Sequence, residues 1–225
     1  MPTSSSTLSS MINTGRAFDR LVNFTDAIVA VAITVLVLSI VDIRPSEAQE
    51  SVWQLISLYA GEIITFGFTF VVVAVMWRVH NRIFNGMRGY DNRIFWLNLM
   101  WLIGIVFLPW PSALYGEGNG IASTQGDGSG NIAGAGLLYW FTLAVISFSG
   151  SLIGLHLRSR PELLEPDDWK PSQHSPLRGF VFSAAFIVIG LITLMPSVIS
   201  SWAPFALIPV GILVSRFETS REQPN

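Results

Sequence analysis

Hydrophobic residues in this chain fall into six blocks separated by polar or glycine-rich stretches. The first, Phe24–Val41, reads FTDAIVAVAITVLVLSIV, with one ionisable residue, Asp26, at its start and one hydroxyl, Thr34, near its middle. Its length approaches the roughly 20 residues that carry a helix across the hydrocarbon core of a bilayer. The second block runs from about Leu55 to Trp77 and is interrupted by Glu62; the third covers about Ile94–Ala113 and the fourth about Ala135–Leu155. The last two, about Phe180–Met195 and Ile199–Val214, are short and share Pro196, which predicts a hairpin with a tight outer turn. The pattern predicts an all-α polytopic membrane protein with six transmembrane helices.

Charge in the connecting segments supports that count. Twelve of the thirteen basic residues lie before the first block (Arg16, Arg20), between the second and third (Arg78, Arg82, Arg88, Arg93), between the fourth and fifth (Arg158, Arg160, Lys170, Arg178) or after the sixth (Arg216, Arg221). Six crossings put all twelve on one side. The other side keeps Arg44 beside Asp42, Glu47, Glu50, Glu117 and Asp127. Positive residues stay on the cytoplasmic face, so both termini are expected in the cytoplasm and the chain in the plasma membrane. Residues 1–15 read as a disordered tail, 16–216 as the six-helix membrane domain and 217–225 as a cytoplasmic tail. No signal-peptide pattern precedes the first block, which is expected to remain in the mature protein. Gly116–Gly136 is a Gly- and Ser-rich outer connection, and a short amphipathic piece is predicted at Glu162–Leu164.

Composition narrows the function. Only 12% of residues are charged, about half the share in a soluble domain. No basic cluster interleaves with aromatics, so nucleic acid is not an expected partner. There are no cysteines, and His156 and His174 have no metal-ligand spacing, so no metal or cofactor is expected. No nucleophile is paired with a base, which argues against an enzyme. Pro109 and Pro111 are expected to end or kink the third helix. Trp101, Trp110, Trp140 and Trp202 read as lipid-facing or interfacial anchors.

Ala27, Val31, Thr34 and Leu38 recur at helical spacing along one edge of the first block. That edge either packs on neighbouring helices or faces copies of itself across an axis. In the second case, rings of branched side chains with a hydroxyl ring among them form a constriction that excludes water and strips an ion's hydration shell. Upstream, Arg20 and Asp26 are six residues apart and share no helix face, so each needs partners on other helices. Trp77 and His80 on the second helix and Asn98 on the third are the candidates.

Arg20, Phe24, Thr25 and Asp26 form R-x-x-x-F-[ST]-D, followed by an apolar A-I-T-[VL]-L-V-L run. This resembles the pore helix of the transmembrane protein 175 potassium channels of bacterial type. Trp77 to Phe84 is similar to the family's W-x-x-H-[HN]-R-[LI]-F. Asn98 with Leu108–Leu114 is similar to its N-L…L-P-[FW]-P-[ST]-x-L. The resemblance covers about residues 16–116. It implies a homotetramer, six helices per subunit, with the first helix lining a central pore that conducts potassium. Selectivity falls on apolar rings and a threonine layer, here Val31, Thr34 and Leu38, with Val31 where Leu or Ile is usual. Arg20, Phe24, Thr25, Asp26, Trp77, His80 and Asn98 are then structural, a network holding the pore helix. A second expectation is a proton-coupled transporter using Glu62 or Asp26, since a carboxylate inside an apolar helix is a functional candidate. The first helix has no Gly or Pro and the chain shows no visible repeat, which favours the channel.

Overall fold

The computed structural model describes residues 12–41, 43, 51–117, 134–165, 176–195 and 207. The sixth apolar block, apart from Leu207, and the Pro196 turn lie outside the described residues. So do Trp202, His174 and the outer acidic residues Asp42, Glu47, Glu50 and Asp127.

A two-residue strand, β1 (Asn13–Thr14), precedes α1 (Arg16–Leu36) and the single-turn α2 (Leu38–Val41). A short α3 (Val52–Leu58) leads into α4 (Ala60–Asn85), then β2 (Gly89–Tyr90), α5 (Asn92–Phe107) and α6 (Pro109–Glu117). The long α7 (Ala135–Ser159), a 3-10 turn at Pro161–Leu163 and α8 (Pro176–Ile192) follow. Among the described residues, four helical runs are long and apolar enough to cross a membrane: Arg16–Val41, Ala60–Asn85, Asn92–Glu117 and Ala135–Ser159. Pro176–Ile192 is a shorter apolar helix.

The helices outrun the apolar blocks that signalled them. α1 starts eight residues before Phe24, and α4 continues eight residues past Trp77. Helical propensity does not stop where hydrophobicity does, because Arg is a good helix former and an isolated Asn or Asp costs less than about 1 kcal/mol once the first turn is nucleated. The second block divides at Tyr59, between α3 and α4, and Glu62 sits in the first turn of α4, where a carboxylate favours the helix dipole. At Pro109 and Pro111 the third run is divided at Leu108 without ending. Leu108 N–H still reaches Gly104 O at 3.0 Å and Ser112 N–H reaches Leu108 O at 3.0 Å.

The core is built around α7. Its Tyr139, Trp140, Leu143 and Ile146 have no exposed surface and pack with Trp101 and Ile105 of α5 and Phe186 and Ile189 of α8. Small residues let the backbones close in, as they do between membrane helices generally. A Cβ at Gly104 would stand 2.5 Å from the Ile146 side chain, and one at Gly190 would stand 3.1 Å from Trp140. Trp101 and Trp140, expected as lipid anchors, are therefore core residues. Interface enrichment of tryptophan describes depth in the bilayer and says nothing about which way a ring faces. Trp110 is exposed.

At the Arg-rich end the chain is tied down by short-range backbone pairing. β1 pairs antiparallel with β2, Asn13 opposite Tyr90 and Thr14 opposite Gly89. The residues before α1 that read from sequence as the end of a tail thus join a ribbon. Gly15 then turns into α1 with φ of +57°, a left-handed conformation that a side chain would strain. Met87 bridges to Leu164, and the Arg88 guanidinium donates to Glu162 O at 2.6 Å.

Candidate ion pathway and the network that positions it

α1 has two faces. Leu21, Thr25, Val29, Ala32 and Leu36 are buried at a spacing of three or four residues. Phe24, Ala27, Val31, Thr34 and Leu38 follow the same spacing on another face and are all exposed, Val31 at 62% and Leu38 at 58%. Among the described residues nothing covers this second stripe. Its one hydroxyl, on Thr34, donates to Val31 O at 2.7 Å, and Ser39 repeats the contact to Leu36 O at 2.8 Å. Hydroxyls bonding back to the preceding turn compete with the helical ladder. The helix is interrupted at Val37, between them, so Leu38 begins the next turn.

The buried stripe is fastened by a directed chain of hydrogen bonds. Asn98 of α5 donates through Nδ2 to Thr25 Oγ1 at 2.9 Å, and Thr25 passes its own proton to Leu21 O at 2.9 Å. With its amide so used, Asn98 offers Oδ1 to His80 Nε2 at 2.9 Å, so the imidazole carries its proton on Nε2. His80, Asn98 and Thr25 are all buried. The His80 ring is stacked between Phe84 and Trp101, with centroids 4.3 and 4.1 Å away. One turn of helix separates this chain from a second tie, in which Trp77 Nε1 donates to Asp26 Oδ1 at 2.8 Å.

The structure therefore brings Thr25, Asp26, Trp77, His80 and Asn98 together across α1, α4 and α5. It does not bring Arg20 into this group. Arg20 is exposed and makes no hydrogen bond or ion pair among the described residues. Phe24 is also outside it, at the Arg-rich end of the exposed stripe. Glu62 is half-buried at the other end of α4, close to α6: a Cβ on Gly116 would stand 3.1 Å from its Cα. Among the described residues no cluster of three or more His, Asp or Glu side chains is placed to hold a metal ion.

Two polar clusters went unnoticed in the sequence. Thr69 donates to Thr65 O at 2.7 Å, which leaves its oxygen to accept from the Ser112 hydroxyl at 2.9 Å and the Tyr139 hydroxyl at 2.8 Å. All three hydroxyl residues are buried, and they join α4, α6 and α7. At the Arg-rich end, Asp91 caps α5 by accepting from Ile94 N–H at 2.9 Å, and its second oxygen meets His156 Nε2 at 2.7 Å. Burial alone would raise the Asp91 carboxyl. The Ile94 amide, the His156 ring and the nearby Arg160 outweigh it and hold that carboxyl below its usual range. The Asp91 cap was readable locally from its spacing to Ile94. The other contacts bridge residues 43 to 70 positions apart and carry no periodic signal.

Residues 20–109 match the family described as "Endosomal/lysosomal potassium channel TMEM175". The TMEM175 match takes in nearly all of α1, with α4 and α5 whole, and so the whole Thr25–Asn98–His80 chain and the Asp26–Trp77 tie; α7 and α8 lie beyond it. TMEM175 is an ion-channel family and not an enzyme family. Among curated relatives, the chain is similar to a potassium channel of Streptomyces collinus, 24% identical over 143 residues that cover 64% of this chain and 66% of that one. It is also similar to the endosomal/lysosomal proton channel TMEM175 of Danio rerio, 29% identical over 145 residues covering 64% of this chain and 26% of that one. A potassium channel of Chamaesiphon minutus is 35% identical over 100 residues, covering 44% of this chain and 49% of its own. The chain thus spans about two thirds of the first relative and about a quarter of the second. In fold it resembles a crystallised variant of the potassium channel MtTMEM175, solved with a nanobody–MBP fusion protein. The TM-score is 0.56 at 20% identity, over 90% of this chain and 94% of that one.

Proposed function

We propose that the protein is a potassium-selective channel that conducts passively through a hydrophobic constriction. Four copies, each with six crossings, surround an axis, with α1 innermost and both termini in the cytoplasm of a plasma-membrane protein. Val31, Thr34 and Leu38 form the narrow layers, and Ala27 widens the pathway toward the Arg-rich end. The observation that carries this reading is the second stripe of α1. A helix already pinned by its buried face presents a continuous, branched, nearly all-apolar edge that the described residues leave open. From Val31 to Leu38 that edge rises about 10 Å, long enough for stacked rings that bar water until an ion is driven through. Bacterial relatives named as potassium channels favour the ion. Asp26 is occupied by Trp77 and is structural on this reading, as are Thr25, His80 and Asn98; Arg20 and Phe24, outside that bonded group, shape the entrance.

The second reading is proton movement, favoured by the relatives named as proton channels. Glu62 is the carboxylate available for it. Liposomes loaded with potassium separate the two. Potassium efflux under an imposed voltage, unchanged when a protonophore clamps the pH gradient, is the expected result. Efflux that requires a pH gradient and vanishes in Glu62→Gln establishes proton coupling in its place.

A further inference from the structure

A groove of about 340 Å³ runs between α4, α7 and α8. This is the size of a site for a small organic ligand. One wall is the edge of α4 from Phe68 to Arg82, about 21 Å at 1.5 Å per residue. The hydrocarbon of one leaflet is about 15 Å deep, half the thickness of the core. Along this wall Val71, Val75 and Val79 are each more than half exposed, so the groove opens sideways, toward the position of lipid chains. The facing wall is Phe182 and Phe186 of α8, and Gly150 and Gly154 of α7 leave the space between them open.

The groove is chemically polarised. Its far part is aliphatic and aromatic. Its other end holds Arg82, in the last turn of α4, and Arg178, in the first turn of α8. Two guanidinium groups closing an apolar slot match an acyl chain joined to a phosphodiester, because the planar guanidinium fork binds phosphate oxygens in pairs. Basic pockets between membrane helices at the inner face take anionic headgroups for this reason. We propose that this groove holds one acyl chain of an anionic phospholipid, with its phosphate against Arg82 and Arg178. The floor of the groove includes His80 and Trp101. His80 passes its bond through Asn98 to Thr25 of α1, so an occupant touches the chain that fastens the candidate pathway. The lipid site does not depend on what α1 conducts, and its test needs no ion flux.

The full-length protein is reconstituted in phosphatidylcholine vesicles containing a photoactivatable acyl-chain probe on either phosphatidylglycerol or phosphatidylcholine. Adducts are then mapped by mass spectrometry. Labelling of Val75 and Phe182 is expected to favour the anionic probe. Arg82→Gln with Arg178→Gln removes that preference, roughly fivefold for each arginine. Arg93→Gln, on the exposed start of α5, preserves it. If the double variant does not yield folded protein, Arg178→Gln alone is expected to lower the preference. Equal labelling by both probes overturns the proposal, as does a preference that survives loss of the arginines. Absence of groove adducts also overturns it, and means that a second copy or the segment around Leu207 covers the wall instead.

Discussion

α1 and α7 reverse the usual order of hydrophobicity and burial. The apolar core of α1 is the most hydrophobic of the four long helices among the described residues, yet only 22% of it is buried within the chain. That of α7 is the least hydrophobic, and 56% of it is buried. In water this would be a misfolded arrangement. In a bilayer, lipid tails solvate aliphatic side chains as well as a protein core does, so hydrophobicity does not decide what goes inside. Shape and hydrogen bonding decide. α7 carries the Tyr139 hydroxyl that Thr69 accepts, the Ser149 and Ser151 hydroxyls bonded back to their own helix, and the aromatic surface of Trp140 that meets Phe68 and Phe186. α1 offers one narrow buried stripe and is held at two points. α7 is thus the mast of the subunit and α1 a stave fastened to it.

The comparison predicts where substitutions hurt. The largest loss of stability is expected on α7. Trp140→Ala empties a site with no exposed surface and is expected to cost about 3–5 kcal/mol, read as a large fall in the thermal midpoint of detergent-solubilised protein. A midpoint close to that of the unmodified chain would show that α7 is not the mast.

Next comes the fastening of α1. Asn98→Leu keeps the branched shape but strips His80 Nε2–H of its acceptor in a buried site, at about 1–3 kcal/mol. It also frees Thr25 from α5. The expected outcome is an intermediate fall in thermal midpoint together with a marked loss of ion flux in liposomes. Flux that persists unchanged would mean that α1 holds its place without this chain of bonds.

A smaller effect is expected at Asp91, outside the membrane spans. Because its carboxyl titrates below the ordinary value of 3.8, its contribution is fully present above that value and is lost as pH falls through the lower folded one. Asp91→Ala removes the α5 cap and the contact to His156, at about 0.5–2 kcal/mol near neutral pH. The difference in midpoint between the two proteins should shrink below pH 4. A difference that is constant down to pH 2 would show that the carboxylate charge contributes nothing.

The legible and illegible parts of the molecule divide along the same line. The fastening of α1 could be read in part because its evidence lies in short motifs: Asp26 at the start of the apolar run, and two motifs that supplied Trp77, His80 and Asn98; Arg20, read from its spacing to Asp26, joins no such tie among the described residues. The contacts that seat α7 could not. Thr69, Ser112 and Tyr139 are ordinary residues of three apolar helices, and nothing in their spacing says that one hydroxyl accepts from the other two. Trp101 and Trp140 were misplaced for a related reason. Periodicity shows which residues share a face, but in a uniformly apolar helix it cannot show which face is inside. The two faces of α1 were separable only because Thr25 and Asp26 mark one side of its start.

The smallest stability effect belongs to the stripe itself. Val31→Ala removes two methyl groups from a side chain that is 62% exposed in the subunit, and Leu38→Ala shortens one that is 58% exposed. Neither leaves a cavity in the subunit core, so each is expected to change its stability by less than about 0.5 kcal/mol. If the stripe merely met lipid, conduction would be equally indifferent. If it forms the constriction, widening the ring lowers the barrier to hydrated ions. Potassium flux then rises, and the preference for potassium over sodium falls, with Leu38 the more sensitive because more volume is removed. Flux and selectivity that stay unchanged in both variants would place the pathway elsewhere, and the exposed edge of α1 would be one more lipid-facing surface.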